Sequence, residues 1–143
     1  MRRIATTLVF LAFILAACRQ TQSTQTNDEP GKPVAVSGGE YQDLSVAELK
    51  TMLENKDFTF VNVHIPFEGD IPDTDLSIPY NEISQHLDQL PADKGAKIVL
   101  YCRSDRMSRI AAEELVGLGY TNLFNLDGGF VAWEQQGLPI EGR

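Results

Sequence analysis

Cys102 stands at a junction. Before it runs the apolar, β-rich segment Lys97-Ile98-Val99-Leu100-Tyr101, after it the polar segment Arg103-Ser104-Asp105-Arg106-Met107-Ser108, and then a helical period begins. A thiol placed between a buried strand and a helix start sits among unpaired backbone N–H groups. Those groups and the helix dipole favour the thiolate over the thiol. Arg103 and Arg106 add positive charge, and Ser104 and Ser108 can donate hydrogen bonds. The same loop would hold a persulfide or a bound oxyanion equally well. Asp105 opposes this by bringing a carboxylate among the donors, unless its side chain turns outward to pair with an arginine.

His64 is the second candidate. It follows the run Phe58-Thr59-Phe60-Val61-Asn62-Val63, read as a buried strand. Ligands of open parallel sheets sit beyond the carboxyl ends of the strands, so His64 and Cys102 are expected at one end of the sheet. Two readings of His64 stand: a proton donor to a leaving thiol or modulator of the thiolate, or a strand-ending histidine bonded to the next loop. Arg109 is either a contact supporting the loop or a solvated helix residue. His86, beside Leu87, reads as surface. Asp70, Asp73 and Asp75 share one loop, but their spacing lacks the glycine and terminal glutamate of a calcium loop, so no metal is expected. Phe67, Tyr80 and Trp133 either wall a pocket mouth or pack beneath loops.

The elements that must position these groups follow from local pattern. Ser45-Val46-Ala47-Glu48 is a capping box before Leu49, Met52 and Leu53, which predicts a helix over about 46–54. Pro66 to Pro79 reads as a loop, and Asn81 to Leu90 as a helix through Ile83, Leu87 and Leu90. Beyond Ser108, Ala111, Leu115 and Leu118 mark the buried face of a helix, with Ala112 and Val116 on its flank and Gly119 ending it. Asn122 to Leu126 is a third strand, Asp127-Gly128-Gly129 a turn, and Phe130 to Gln136 a short helix, with an added strand near Tyr41 to Leu44. Short strands alternating with helices predict an α/β fold, a parallel sheet covered on both faces.

The chain has 143 residues, room for one compact domain. With 12 basic and 20 acidic side chains its formal charge is −8, which argues against a nucleic-acid partner. Two cysteines cannot supply a four-thiolate metal site. Residues 1–17 read as a signal peptide: Arg2 and Arg3, then an uncharged run from Ile4 to Ala17, too short to span a bilayer comfortably. Leu15-Ala16-Ala17-Cys18 resembles a bacterial lipoprotein processing box. That resemblance implies cleavage before Cys18, diacylglycerol on its sulfur and acylation, by palmitate for example, of its new amino group. An ordinary cleaved signal peptide or an uncleaved anchor is the alternative.

Cleavage would remove two basic and no acidic residues, leaving a formal −10 and no polybasic attachment to anionic lipid. The domain is then expected in the bacterial cell envelope, outside the cytoplasm and held to the membrane through lipid on Cys18. If the organism has two membranes, Arg19 after Cys18 resembles an outer-membrane sorting signal. Residues 18–40 read as a disordered tether, rich in Gln and Thr and then in Pro and Gly. Residues 41–143 form the domain, and lipidation of Cys18 would leave Cys102 as its one thiol.

From about Tyr41 to Gly142 the chain resembles a single rhodanese-like (sulfurtransferase) domain. The resemblance is carried by Leu126-Asp127-Gly128-Gly129-Phe130-Val131-Ala132-Trp133 through Gly137-Leu138-Pro139, and by Tyr101-Cys102-Arg103-Ser104 with Ser108, Ala111, Ala112 and Leu115. It implies a five-stranded parallel sheet with helices on both faces and the active-site Cys102 opening a six-residue loop. It also implies that residues 103–108 bind the substrate and that the thiolate takes sulfur from thiosulfate or a persulfide, passing it to a thiol, a protein cysteine or another nucleophile. No metal or organic cofactor is implied.

The chain departs from that pattern in four places. Asp105 stands where glycine is usual, and Met107 where many members carry arginine. Asn62-Val63-His64 replaces Asp-x-Arg, and Gly69-Asp70-Ile71 replaces Gly-His-Ile. A catalytically weak rhodanese-like binding or redox-sensing module is the alternative function. Phosphatase and arsenate reductase loops need arginine six residues after the cysteine; Ser108 holds that place, and Arg109 lies about 100° further round the helix.

Overall fold

The computed structural model describes residues 30–143. One sheet organises them, built from β1 (Lys32–Val36), β2 (Gly39–Leu44), β3 (Thr59–Asn62), β4 (Leu76–Ser77), β5 (Ile98–Tyr101) and β6 (Leu123–Leu126). Its spatial order is β1-β2-β6-β5-β3-β4. Strands β2, β6, β5, β3 and β4 run parallel, and β1 adds antiparallel to β2. The expected five parallel strands are present, with a sixth at one edge. The helices are α1 (Val46–Glu54), α2 (Arg106–Gly117) and α3 (Gly129–Gln135).

The central strands are short and apolar on both sides because both faces are covered. Along β5, Ile98 and Leu100 point into a core with Ala111, Ala112, Leu115 and Val116 of α2. Val99 and Tyr101 point the other way, toward Leu49 of α1 and Phe130 and Trp133 of α3. The period-2 alternation of one tetrapeptide therefore assigns α2 to one face and α1 with α3 to the other.

Two expectations are corrected. Residues 32–40, read as tether, form the β1–β2 hairpin, paired from Lys32 with Asp43 to Val36 with Gly39. The local signal is Val34 and Val36, two residues apart and packed on the α2-side core, ahead of Ser37-Gly38-Gly39; Gly38 takes the turn at φ +94°. Pro33 fits because β1 is an edge strand, where a missing N–H costs no ladder bond. The second concerns Asn81–Leu90, which is a 3₁₀ turn at Ile83–Gln85 followed by further tight turns. Ile83 and Leu90 are buried, so the apolar spacing is used, but by successive i→i+3 bonds. Ten residues containing Asn81, Ser84, His86 and Asp88 are poor helix formers, and nucleation is costly in so short a segment.

Helix α1 starts as its sequence requires. Ser45 Oγ accepts from the Glu48 N–H, and the Glu48 carboxylate accepts from Ser45 N at 2.8 Å and Ser45 Oγ at 2.6 Å. The same carboxylate accepts from Gly31 N at 3.0 Å and so also fixes the approach to β1. Hydrogen bonds from the Ser45 hydroxyl and then the Ser45 N–H hold Glu48 below the usual 4.5. A depressed carboxyl stabilises the fold above its unfolded value and loses that contribution as pH falls through the folded value. Wild type should thus exceed Glu48→Gln by about 1 kcal/mol in urea unfolding at neutral pH. The gap should close as the pH drops below 4.5.

Candidate active site

Strand β5 ends at Tyr101 and α2 starts at Arg106, so Cys102 opens a tight loop at the carboxyl edge of the sheet. Its side chain is 2% exposed. The sulfur accepts the Asp105 N–H at 3.0 Å and lies 3.4 Å from Ser108 Oγ. Ser108 Oγ is also 2.9 Å from Asp105 O, so its one proton serves either the sulfur or the loop carbonyl. Of the expected ring of loop amides, the Asp105 N–H is the one that donates to the sulfur among the described residues, with the Ser108 hydroxyl beside it.

The loop is clamped from its other side by α3. Phe130 N–H donates to Cys102 O and Val131 N–H to Arg103 O, both at 3.0 Å. Gly129, at φ +56°, makes that approach feasible: a Cβ there would lie 2.2 Å from Cys102 O and 2.6 Å from the Arg103 carbonyl carbon. The glycine pair is thus more than a turn; its second member is where two backbones touch.

A cavity of about 200 Å³ opens beside the thiol, lined by His64, Cys102, Arg103, Ser104, Arg106 and Met107. The structure therefore brings His64 and Cys102 together. The His64 backbone N–H donates to Asn62 Oδ1 at 2.9 Å, and Asn62 Nδ2 donates to Gly69 O and Asp70 Oδ1. The imidazole, 8% exposed, places Nε2 3.1 Å from Glu68 Oε2 and meets the Phe130 ring edge-on. Its buried Nδ1 has no protein partner. Glu68 Oε2 also lies 3.7 Å from Arg103 Nη1, linking the exposed arginine to the buried imidazole.

Other predicted site residues divide. Arg103, Ser104 and Arg106 are exposed at the rim, and Met107 packs partly into the core. Asp105 turns its carboxylate away from the thiol, onto Asn125 Nδ2 at 2.9 Å and Arg109 Nη2 at 3.0 Å. Arg109 is outside the cavity and bridges Asp105, Asp43 and Asp127, which decides for loop support over solvation. Burial pushes the Asp105 carboxyl above its usual value; Asn125 and Arg109 pull it down, and Asp127 pushes it up again.

The loop acids do not converge as a site. Asp70 bonds Asn62 and Tyr101, while Asp75 pairs with Lys56 and accepts from Phe60 N. Tyr101 Oη is buried among Ile71 N, Thr74 Oγ1 and Asp70, and burial raises its pKa. No group of His, Cys, Asp and Glu among the described residues is arranged to hold a metal. Phe67, 54% exposed, lies at a neighbouring depression of about 430 Å³ shared with Glu68, Arg103, Phe130 and Glu134. Trp133 is core, its Nε1 donating to Pro139 O at 2.9 Å, and Tyr80 is half-buried with its N–H on Val63 O. Cys18 lies outside the described residues. Sequence reasoning missed Glu68, Asp43 and Asn125, and marked Asn62 only as a departure from the family pattern. For Asn125 a signal existed, an amide inside a buried strand, which demands partners.

The site thus places a buried thiol at the end of a parallel strand, faced by the Asp105 amide. The rhodanese-like domain model matches residues 45–136, and the chain belongs to that family. It is 36% identical over 92 residues to a protein named sulfurtransferase from Allochromatium vinosum, covering 62% of this chain and 83% of that one. A tRNA uridine(34) hydroxylase of Erwinia tasmaniensis is 30% identical over 107 residues, but the match spans 68% of this chain and only 31% of the hydroxylase. Among solved structures, a rhodanese-related protein of Thermoplasma volcanium superposes with TM-score 0.60 at 28% identity, covering 70% of this chain and 97% of that one. A rhodanese-like domain protein of Staphylococcus aureus gives TM-score 0.58 at 30% identity, with coverage of 70% and 98%.

Gly129→Ala would drive a methyl group into the loop carbonyls. It should cost about 1–3 kcal/mol in denaturant unfolding and slow alkylation of Cys102 in the protein that remains folded. Gly137→Ala, at another positive φ but with open space around its Cβ position, should leave the alkylation rate unchanged.

Proposed function

We propose that the domain is a sulfurtransferase carrying sulfane sulfur on Cys102. The observation that carries this reading is the Cys102 sulfur, held by the Asp105 amide at 3.0 Å and opening on a cavity shared with His64 and two arginines. The thiolate attacks the outer sulfur of the donor, a new S–S bond forms, and the donor's own bond to that sulfur breaks. Its electron pair leaves with sulfite, if the donor is thiosulfate, or with a thiolate, if it is a persulfide. A second thiolate then attacks the outer sulfur on Cys102, becomes the persulfide and returns the cysteine. No metal or cofactor enters either step.

The residues around the thiol have separable roles. Arg103 and Arg106 draw anionic donors to the rim, and Ser104 and Ser108 order the loop. His64, held through Glu68, gives a proton to a departing thiolate, a stronger base than sulfite. The near-complete burial of Cys102 favours the second reading, a binding or redox-sensing module with a sluggish thiol. We place the domain outside the cytoplasm on lipid-modified Cys18; Cys18→Ala should then abolish partition of the expressed protein into the detergent phase on Triton X-114 separation.

The deciding measurement is intact mass after incubation with thiosulfate or glutathione persulfide. The full chain would carry Cys18→Ala, so that Cys102 is the sole thiol, and would be compared with the same chain bearing Cys102→Ser. A gain of about 32 Da, removed by reductant and absent from the Ser variant, is the expected result. No adduct from either donor, with alkylation no faster than that of a free thiol, would reject the carrier role in favour of the binding module.

A further inference from the structure

Asp105 occupies the glycine place of the loop at φ +123°, ψ −48°, where a Cβ is crowded. That turn is what points its N–H at the Cys102 sulfur. Its side chain is anchored at both oxygens: Oδ1 accepts from Asn125 Nδ2 at 2.9 Å, and Oδ2 meets Arg109 Nη2 at 3.0 Å. Both anchors are themselves tied to β2. Asn125 Nδ2 lies 2.8 Å from Asp43 Oδ1, and Arg109 Nη2 lies 3.0 Å from Asp43 Oδ2 and 3.3 Å from Asp127 Oδ1. Asn125 is wholly buried and the Asp43 side chain is 14% exposed, so the network rests on packed groups. Tyr41 and Glu113 are the other titratable groups facing it.

The geometry points to Arg109, Asn125 and Asp43 as positioning residues that hold Asp105 in its left-handed turn, so that the loop amide faces the sulfur. Side-chain anchorage does here what conformational freedom does for glycine. Relaxing Asp105 to negative φ would rotate that amide away and remove the shortest hydrogen bond the sulfur receives. The inference rests on the reading of Cys102 as the nucleophile, and it concerns how that nucleophile is prepared. A rival explanation is electrostatic: Arg109 could favour the thiolate through space, by charge alone. The two differ in one respect. Positioning requires the Asp105 side chain, whereas charge does not.

The test is the rate of iodoacetamide alkylation against pH, on the full chain carrying Cys18→Ala, with circular dichroism confirming the fold of each variant. The charged groups at the thiol, His64 with Glu68, Arg103 and Arg106, are the same throughout. Arg109→Met should slow alkylation about tenfold at neutral pH and move the rise of the profile to higher pH, as expected when the thiolate loses a donor. Arg109→Lys keeps the charge but not the planar fork, and should slow it about threefold or more. In an Asp105→Gly background, Arg109→Met should change the rate less than about twofold, because the pair acts as one unit. Equal slowing in both backgrounds would show that the guanidinium works by charge, and a wild-type profile for Arg109→Met would show that it does not prepare the thiol; either overturns the proposal. If a loop variant does not fold, Asp43→Asn leaves loop and helix intact and should still slow alkylation about threefold, a wild-type profile again overturning it. Alkylation needs no sulfur donor, so loss of sulfur loading with this coupling intact would reject the transfer reading and leave the positioning role standing.

Discussion

The loop that presents Cys102 is held between two helix starts that grip different atoms of it. Helix α3 takes the carbonyls of Cys102 and Arg103 with its own N–H groups, and the turn into α2 gives an N–H to the sulfur. Backbone amides on both sides convert a short connection into a fixed one, and the other requirements follow. Residue 129 must lack a Cβ, because its backbone rests on the Cys102 carbonyl. Strands β5 and β6 must stay paired, since they carry the two loops that meet; Ile98 faces Leu123 and Leu100 faces Asn125. The two cores on either side of β5 hold that pairing in place.

Much of this was legible in the chain before any coordinates. Alternation in Ile98–Tyr101 and the capping box at Ser45 define their elements with local information alone, and Cys102 could be placed because it follows the first and precedes a helix. The segment 81–90 was misread because its apolar spacing is satisfied by tight turns as well as by a helix, and spacing cannot separate them. The strand near Tyr41 to Leu44 is legible, but residues 32–40 read as tether because their composition resembles a linker; the two valines that bind β1 to the core gain their force only from a partner strand. Glu68 and Asp43 were invisible for a third reason. Asp43 acts across the fold on Arg109 and Asn125, and Glu68 joins its near neighbour His64 to the distant Arg103; the long-range pairings leave no local trace.

Two of the departures from family pattern, Asn62-Val63-His64 and Asp105, belong to different clusters of side chains. Asn62 and His64, with Glu68 as partner of the imidazole, form one cluster, where an amide and an imidazole–carboxylate pair stand near the cavity. Asp105, with Arg109, Asn125 and Asp43, forms the other, and none of these carboxylates lines the cavity. The first group changes what a ligand meets, while the second changes how the loop is supported. Counting both as erosion of the active site would merge two different physical effects.

The edges of the sheet carry a consequence of their own. At one side β1 ends the sheet with five residues that include Pro33, which has no amide hydrogen to offer. At the other, β4 is only two residues long and is followed at once by Ile78 and Pro79. Each margin is therefore too short or too interrupted to template a neighbouring chain. Many copies of this domain could share a crowded surface without zipping together through their backbones.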